Sequence, residues 1–114
     1  MAKLTEEQYA AIFKKAQLAA FTAADEYVRK YPDSWYPCGF SWVRVRPARG
    51  AFVNFLKAHD LGRTDDYMGG MVVYNPSGHH TQCMEAKRLG SQAFVTVLRE
   101  HLPTLNVSVE TRID

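Results

Sequence analysis

The segment from residue 38 to residue 47 constrains the fold of this 114-residue chain more than any other. Aromatic and β-branched residues dominate it, and Gly39 and Pro47 lie near its ends, so it is predicted to form a β-strand. Successive side chains of a strand point to opposite faces. One face carries Phe40, Trp42, Arg44 and Arg46, and the other carries Ser41, Val43 and Val45. Either face could be the buried one, and the two choices imply different functions.

A long N-terminal helix is predicted before this strand. Thr5 and Gln8 match a capping box, in which a hydroxyl and an amide satisfy free backbone N–H groups reciprocally, and Pro32 ends the helix. Apolar residues with helical spacing line one side of it. Because Leu18 and Phe21 lie off that stripe, we expect the helix to pack on a second copy of the chain as well as on its own core.

The remaining pattern alternates helices with strands. It predicts a helix through Phe52 and Leu56, a strand over Met71–Tyr74, a helix over residues 80–102 and a strand over residues 105–113. The order is α-β-α-β-α-β, with a long helix in residues 1–31 and a βαβαβ core in residues 38–114. We expect a single α+β domain in which three helices pack on a small three-stranded sheet.

The last predicted strand indicates which face of the sheet is polar. It alternates between an apolar face that includes Val107 and Val109 and a polar face. If Val43 and Val45 share the core side with these valines, the strand's aromatic and arginine residues join the polar side. That side would then also carry Asn106, Ser108, Glu110 and Arg112. The N-terminal helix is expected to cover part of it.

Loop residues and glycines carry further expectations. Residues 63–66 are predicted to be a polar loop, and Gly62 is predicted to be the left-handed cap of the second helix. Gly69 and Gly70 indicate a bulge, or the close approach of another backbone or a ligand. Gly90 costs about 1 kcal/mol relative to alanine in a helix, so we expect it to permit close packing on a strand.

The composition is that of an ordinary globular domain. It is 46% hydrophobic, enough for one core, and its formal net charge of +2 is far below the excess expected of a dedicated duplex-DNA binder. Two cysteines are too few for a disulfide scaffold and indicate reduced thiols. The sequence has no signal-peptide pattern and no apolar run of membrane-spanning length. We therefore expect a cytoplasmic protein with no membrane association.

The aromatic and arginine face of the first strand is the strongest candidate for a binding site. Aromatic rings stack on bases, and guanidinium groups bind phosphates through two hydrogen bonds. The predicted ligand-binding residues are Phe40, Trp42, Arg44, Arg46 and Arg112. The alternative is structural: the two aromatic residues pack under the N-terminal helix, and the arginines pair with Glu110, Asp114 or solvent.

His79, His80 and Cys83 form the second candidate cluster. Imidazole and thiolate bind zinc, but the paired cysteine spacing of a structural zinc site is absent. A cysteine–histidine nucleophile pair and an anion site at the start of the third helix are further possibilities. The favoured interpretation is a turn with two exposed histidines and a buried, inert cysteine. No metal, cofactor or catalytic residue is assigned.

From residue 38 onward the sequence also resembles a known family. The matching features are Cys38-Gly39-Phe40 followed by Trp42-Val43, then Gly69-Gly70, Asn75-Pro76 and a final Arg112-Ile113-Asp114. This pattern resembles a family of small uncharacterised proteins common in tailed-phage genomes, and it covers roughly the C-terminal two-thirds of the chain. The resemblance implies a phage or prophage origin, where small accessory proteins are often inhibitors of host enzymes or sponges for nucleotide signals.

These observations lead to one functional expectation with two alternatives. We expect a non-enzymatic phage-type accessory protein that counters or modulates a host defence system in the host cytoplasm. It would bind a host protein or a nucleotide signal, and it would form a homo-oligomer through the N-terminal helix. The alternatives are a single-stranded nucleic-acid-binding protein and a small enzyme that uses His79, His80 or Cys83.

Overall fold

Three helices and four strands form within residues 4–33 and 36–114, the part of the chain that this computed structural model describes. In chain order they are α1 (Glu6–Lys30), β1 (Gly39–Arg46), α2 (Ala51–Ala58), β2 (Arg63–Thr64), β3 (Met71–Tyr74), α3 (Met84–His101) and β4 (Asn106–Ile113). The α+β class and the long N-terminal helix are confirmed. Residues 1–3 of the predicted N-terminal segment lie outside the described residues.

The sheet has four strands rather than the three predicted. The additional strand is β2, in which Arg63 and Thr64 pair with Val72 and Met71 of β3. The sequence analysis placed these residues in a polar loop. A strand of two residues is too short to show the alternation by which strands are recognised, and for this reason the pattern missed it.

All neighbouring strands are antiparallel, and their order across the sheet is β2-β3-β1-β4. From β1 onward, the element order and this strand order are those of the split βαβ, or ferredoxin-like, arrangement. The long helix α1 precedes that unit. The two central strands are therefore β1 and β3, and side chains on these strands lie in the middle of whichever face they share.

The helices pack on one face of the sheet. Buried side chains on that face come from the three longer strands and include Ser41, Val43, Val45, Met71, Val73 and Val107. Helix α3 lies against β1 and β4, and α1 runs along α3. The register pairs Val43 with Val109 and Val45 with Val107, as the alternation of the last strand predicted.

Helix α1 begins as its sequence predicts. The Gln8 backbone N–H donates to the Thr5 hydroxyl over 3.1 Å, and the Thr5 N–H donates to the Gln8 side-chain oxygen over 2.8 Å, which completes the capping box. Its buried residues line the predicted stripe, whereas Leu18 and Phe21 are exposed. Packing of this helix on a second copy stays a prediction. None of the described helices is both long and apolar enough to cross a lipid bilayer.

Helices α1 and α3 are in close contact at Gly90. A Cβ atom there would lie 3.0 Å from the Ala20 carbonyl oxygen of α1 and 2.8 Å from the Ser77 Cβ atom. The expectation that Gly90 packs on a strand is therefore wrong, because its neighbours are a helix and the turn after β3. Alternation and spacing show which side of α3 is buried, but they do not show which element covers it.

Two other expectations about turns have different outcomes. Gly70 has a φ of +83°, and a Cβ there would lie 2.7 Å from the Val45 carbonyl oxygen, so close approach of another backbone is confirmed. The left-handed residue after α2 is Asp60, with a φ of +53°, and the assignment of Gly62 as the cap is wrong.

Helix α3 starts at Met84 rather than residue 80, because the residues before it form a turn that pairs with the start of β1.

Candidate functional site

The sheet face turned away from the helices carries all five residues predicted to bind a ligand. Strand pairing places Phe40 opposite Arg112, Trp42 opposite both Tyr74 and Glu110, and Arg44 opposite Val72. We call this the open face. Its members are Phe40, Trp42, Arg44, Arg46, Arg63, Val72, Tyr74, Asn106, Ser108, Glu110 and Arg112. The expectation that α1 covers part of it, with the aromatic residues underneath, is wrong, because α1 packs with α3 on the opposite side.

Three aromatic side chains form a patch in the middle of the open face. The Trp42 and Tyr74 rings are stacked, with centroids 5.7 Å apart and planes 3° apart. Phe40 lies beside Tyr74 at a centroid distance of 6.3 Å. Tyr74 is 58% exposed, whereas Phe40 and Trp42 are half-buried. This aromatic patch therefore offers flat, partly accessible rings on the two central strands.

Sequence analysis missed Tyr74. Its strand has only four residues, and three of them are apolar, so alternation gave no reason to place the tyrosine outside the core. The pairing of β3 with β1 is the fact that brings Tyr74 beside Trp42. That pairing joins segments distant in the chain and is not visible in local sequence.

Arg44 is held in a charge cluster beside the patch. Its Nε donates to Glu110 Oε2 over 2.9 Å, its Nη2 donates to Glu110 Oε1 over 3.0 Å, and its Nη1 donates to Asp65 Oδ2 over 2.9 Å. Glu110 Oε1 also accepts the indole N–H of Trp42 over 2.8 Å. Only 3% of Arg44 is exposed. The structural alternative, in which arginine pairs with Glu110, is therefore correct for Arg44, which is not free to bind a phosphate.

The hydrogen bonds of this cluster lower the pKa values of its two carboxyl groups. Donation by Arg44, and secondarily by Trp42, holds the pKa of Glu110 below its usual range against the opposing effect of burial. The backbone N–H of Met68, followed by Arg44, lowers the pKa of Asp65. Both groups are therefore anionic at neutral pH, and their two negative charges exceed the single positive charge of Arg44.

Asp65 also shapes the loop between β2 and β3. Its Oδ1 accepts the backbone N–H groups of Tyr67 and Met68 over 3.0 and 2.9 Å, while Gly69 donates its N–H to the Asp65 carbonyl over 2.8 Å. The Gly69 carbonyl in turn accepts a hydrogen bond from Arg44. The loop is thus fixed to the open face, and it displays Tyr67 at 93% exposure and Met68 at 57%. Sequence analysis identified neither residue.

Four cationic side chains lie on or beside the open face, and we call them the rim cations. They are Arg46, Arg63, Lys87 and Arg112. The Arg112 guanidinium lies 5.5 Å from the Phe40 ring centroid and the Lys87 ammonium lies 5.3 Å from it, each close enough for a cation–π contact. Arg63 borders a pocket of about 510 Å³ together with Val72 and Tyr74. Arg46 makes one long hydrogen bond, 3.4 Å, to the Met68 carbonyl.

The histidine cluster has a structural role. His79 is buried, and its Nε2 lies 3.1 Å from Asp25 Oδ1, while its Nδ1 accepts the Thr81 backbone N–H over 3.0 Å. Because Nδ1 accepts a hydrogen bond, its proton is on Nε2, which donates to Asp25. The expectation of two exposed histidines is therefore wrong for His79, although His80 is exposed, and Cys83 is half-buried rather than buried.

Both ring nitrogens of His79 are occupied, Nε2 by Asp25 of α1 and Nδ1 by the Thr81 N–H of the same turn, so neither is available to a metal or a substrate. Hydrogen bonds from Arg29, and secondarily from His79, lower the pKa of Asp25. Among the residues with described positions, no three His, Cys, Asp or Glu side chains are grouped so that they could hold a metal ion.

Comparison of the chain with protein-family models, with curated proteins and with solved structures finds no match.

Proposed function

We propose that this chain is a non-enzymatic binding protein whose open face holds a nucleotide-type ligand, either a free nucleotide or a single-stranded nucleic acid. The observation that carries the proposal is the aromatic patch, in which stacked Trp42 and Tyr74 rings lie on the two central strands and remain partly exposed. Bases stack on such rings regardless of sequence, because every base has a π-face.

The charge distribution supports an anionic ligand. The Arg44 cluster itself carries one net negative charge, so the attraction for an anion has to come from the rim cations. Two of the four rim cations, Lys87 and Arg112, lie 5.3 and 5.5 Å from the Phe40 ring centroid, beside the patch on which a base would stack. Since the net charge of the chain is only +2, this local arrangement has to provide most of the electrostatic attraction.

The arrangement has a precedent in nucleic-acid recognition. RNA-recognition motifs use a four-stranded sheet whose exposed aromatic side chains stack two or three bases. The precedent is an analogy of geometry, since a fold alone does not define a function. It supports the proposal because this chain also has a four-stranded sheet with partly exposed aromatic side chains on one face.

The resemblance to small tailed-phage proteins suggests the biological setting. A protein that sequesters a nucleotide signal in the host cytoplasm would counter or modulate a host defence system that depends on that signal. Self-association through the exposed Leu18 and Phe21 of α1 would increase the number of open faces in each particle.

A protein partner is the second candidate, and the loop between β2 and β3 favours it. Tyr67 and Met68 are exposed, yet Asp65 fixes the backbone that carries them, so little ordering is needed when a partner binds. Tyrosine and methionine are also enriched in protein interfaces.

The direct test of the stacking role is Tyr74→Ala. Binding to a fluorescently labelled oligothymidylate roughly ten nucleotides long is measured by anisotropy. Losing one stacking ring costs about 1–3 kcal/mol, so we expect affinity to fall by roughly 5- to 150-fold. The matched control is Tyr31→Ala, which removes an exposed tyrosine from the end of α1 and should leave affinity unchanged. Equal effects of the two substitutions would overturn the site assignment.

The rim cations are tested through the salt dependence of the same binding. If all four contact phosphates, the slope of log affinity against log salt concentration should be about −2 to −3 for a single strand. Arg112→Ala should make that slope shallower by about 0.7. Arg29→Ala removes an equal charge from α1, which packs on the helical side of the sheet, and should leave the slope unchanged. A salt-independent interaction would exclude nucleic acid as the ligand and would favour a protein partner.

A further inference from the structure

The start of β1 and the turn before α3 meet in a β-bridge that brings the chain's two cysteines together. Cys38 and Cys83 lie directly opposite each other in antiparallel orientation. The Gly39 N–H donates to the Gln82 carbonyl over 3.1 Å, and the Met84 N–H donates to the Pro37 carbonyl over 3.1 Å. These bonds flank the cysteine pair and do not join it.

That hydrogen-bond pattern defines the closer of the two kinds of antiparallel pair. In a pair without mutual hydrogen bonds, the Cα atoms are about 4.5 Å apart and the side chains point to the same side. A disulfide needs Cα atoms roughly 4.4–6.8 Å apart with facing Cβ atoms. The backbone at Cys38 and Cys83 is therefore already positioned for a disulfide, although both cysteines are free thiols.

Both thiols can be reached from solvent, since Cys38 is exposed and Cys83 is half-buried. We propose that Cys38 and Cys83 are a redox modification site that closes an intramolecular disulfide by exchange with a low-molecular-weight disulfide such as oxidised glutathione. This proposal is independent of the ligand proposed for the open face.

The reaction has two exchange steps. The Cys38 thiol, the more exposed of the two, loses its proton to solvent, and the thiolate attacks one sulfur of the small disulfide. The S–S bond of that reagent breaks, a mixed disulfide forms on Cys38, and one small thiolate leaves and takes up a proton. The Cys83 thiolate then attacks the Cys38 sulfur and expels the second small thiol. Two protein thiols are thus oxidised by two electrons, and one small disulfide is reduced to two thiols.

The cross-link would join the residue before β1 to the N-terminal end of α3 and would enclose β1, α2, β2 and β3 in a covalent loop. A cross-link over a long loop restricts the denatured chain, so the oxidised protein should unfold at a higher temperature than the reduced one. It would also lie at one end of the open face, because Cys38 lines a pocket of about 360 Å³ together with Phe40 and Lys87.

The test equilibrates the full chain in glutathione buffers of increasing oxidised fraction, followed by acid quenching, alkylation and mass spectrometry. We expect both thiols to become unreactive together, with the loss of two hydrogen masses from a monomer. Non-reducing peptide mapping should link Cys38 to Cys83, and Tm should rise and return on addition of a dithiol reductant. Accumulation of a glutathione adduct, formation of disulfide-linked dimers, or no reaction would each overturn the proposal.

Cys83→Ser is the matched control. It keeps Cys38 and a side chain of similar size at the bridge, and circular dichroism verifies that it folds. In the same buffers it should stop at a glutathione adduct on Cys38, without a rise in Tm. A Tm rise in this variant equal to that of the wild type would show that ring closure is not the cause.

Discussion

At the residue scale, the two arginines of β1 have opposite roles although they lie on the same face. Arg44 is buried and shared by Glu110 and Asp65, whereas Arg46 is exposed and makes one long hydrogen bond. Composition and alternation do not distinguish the two residues, because both are arginines on the same face of one strand. The carboxylates that distinguish them come from β4 and from the loop after β2, and only the tertiary structure brings these to Arg44.

The first prediction follows from that difference. Arg44→Met keeps the length of the side chain but leaves two carboxylates without their cation, so we expect a loss of about 3 kcal/mol in the free energy of unfolding. Arg46→Ala, two positions along the same strand, should cost less than about 0.5 kcal/mol. Urea denaturation measures both. Equal stability of the two variants would mean that the ion pairs of Arg44 do not stabilise the fold. Arg44 would then again be a candidate ligand-binding residue.

The second prediction concerns pH. The pKa of Glu110 is lower in the folded chain than in the unfolded one, so the stability it contributes is fully present above the ordinary glutamate range and is lost as pH falls through the folded value. Glu110→Gln should therefore be less stable than the wild type at neutral pH. The difference should shrink on acidification, because a protonated Glu110 resembles glutamine. Thermal unfolding across that pH range measures it, and a constant difference at every pH would contradict the assignment.

At the scale of elements, local sequence predicted the parts that depend on local physics. The capping box of α1, the β1 segment and the faces of β4 follow from side-chain chemistry and alternation within a few residues, and all three are confirmed. The strand β2 and the later start of α3 were missed, because each depends on pairing with a distant segment. For β2 the partner is β3, and for the turn before α3 it is the start of β1.

The contact between α1 and α3 gives the third prediction. Gly90→Ala improves helix propensity by about 1 kcal/mol, but the added methyl group would meet the Ser77 Cβ and the Ala20 carbonyl oxygen. Overpacking typically costs about 1–3 kcal/mol, so we expect a net loss of stability and a lower Tm. Gln92→Ala, an exposed position of the same helix, controls for propensity alone. A stabilised Gly90→Ala variant would show that the two helices are farther apart than described.

At the scale of the whole molecule, the fold separates stability from binding. The helices and the inward valines form the core on one face of the sheet, while the other face keeps three aromatic rings partly exposed together with the exposed residues Arg46, Arg63 and Arg112. The sequence predicted the composition of that face from the alternation of β1 and β4. It did not predict that β3 would add Tyr74 or that the loop after β2 would cover Arg44, since both depend on which strands become neighbours.

The most direct measurement is an NMR titration of the isotope-labelled protein with a nucleoside monophosphate and, separately, with oligothymidylate. The backbone amides of Phe40 and Tyr74 and the indole N–H of Trp42 report on the aromatic patch. We predict that their chemical shifts change with at least one of the two ligands. The chemical shifts of the α1 amides should not change. Changes confined to α1, or no changes with either ligand, would contradict the claim that the open face binds nucleotides.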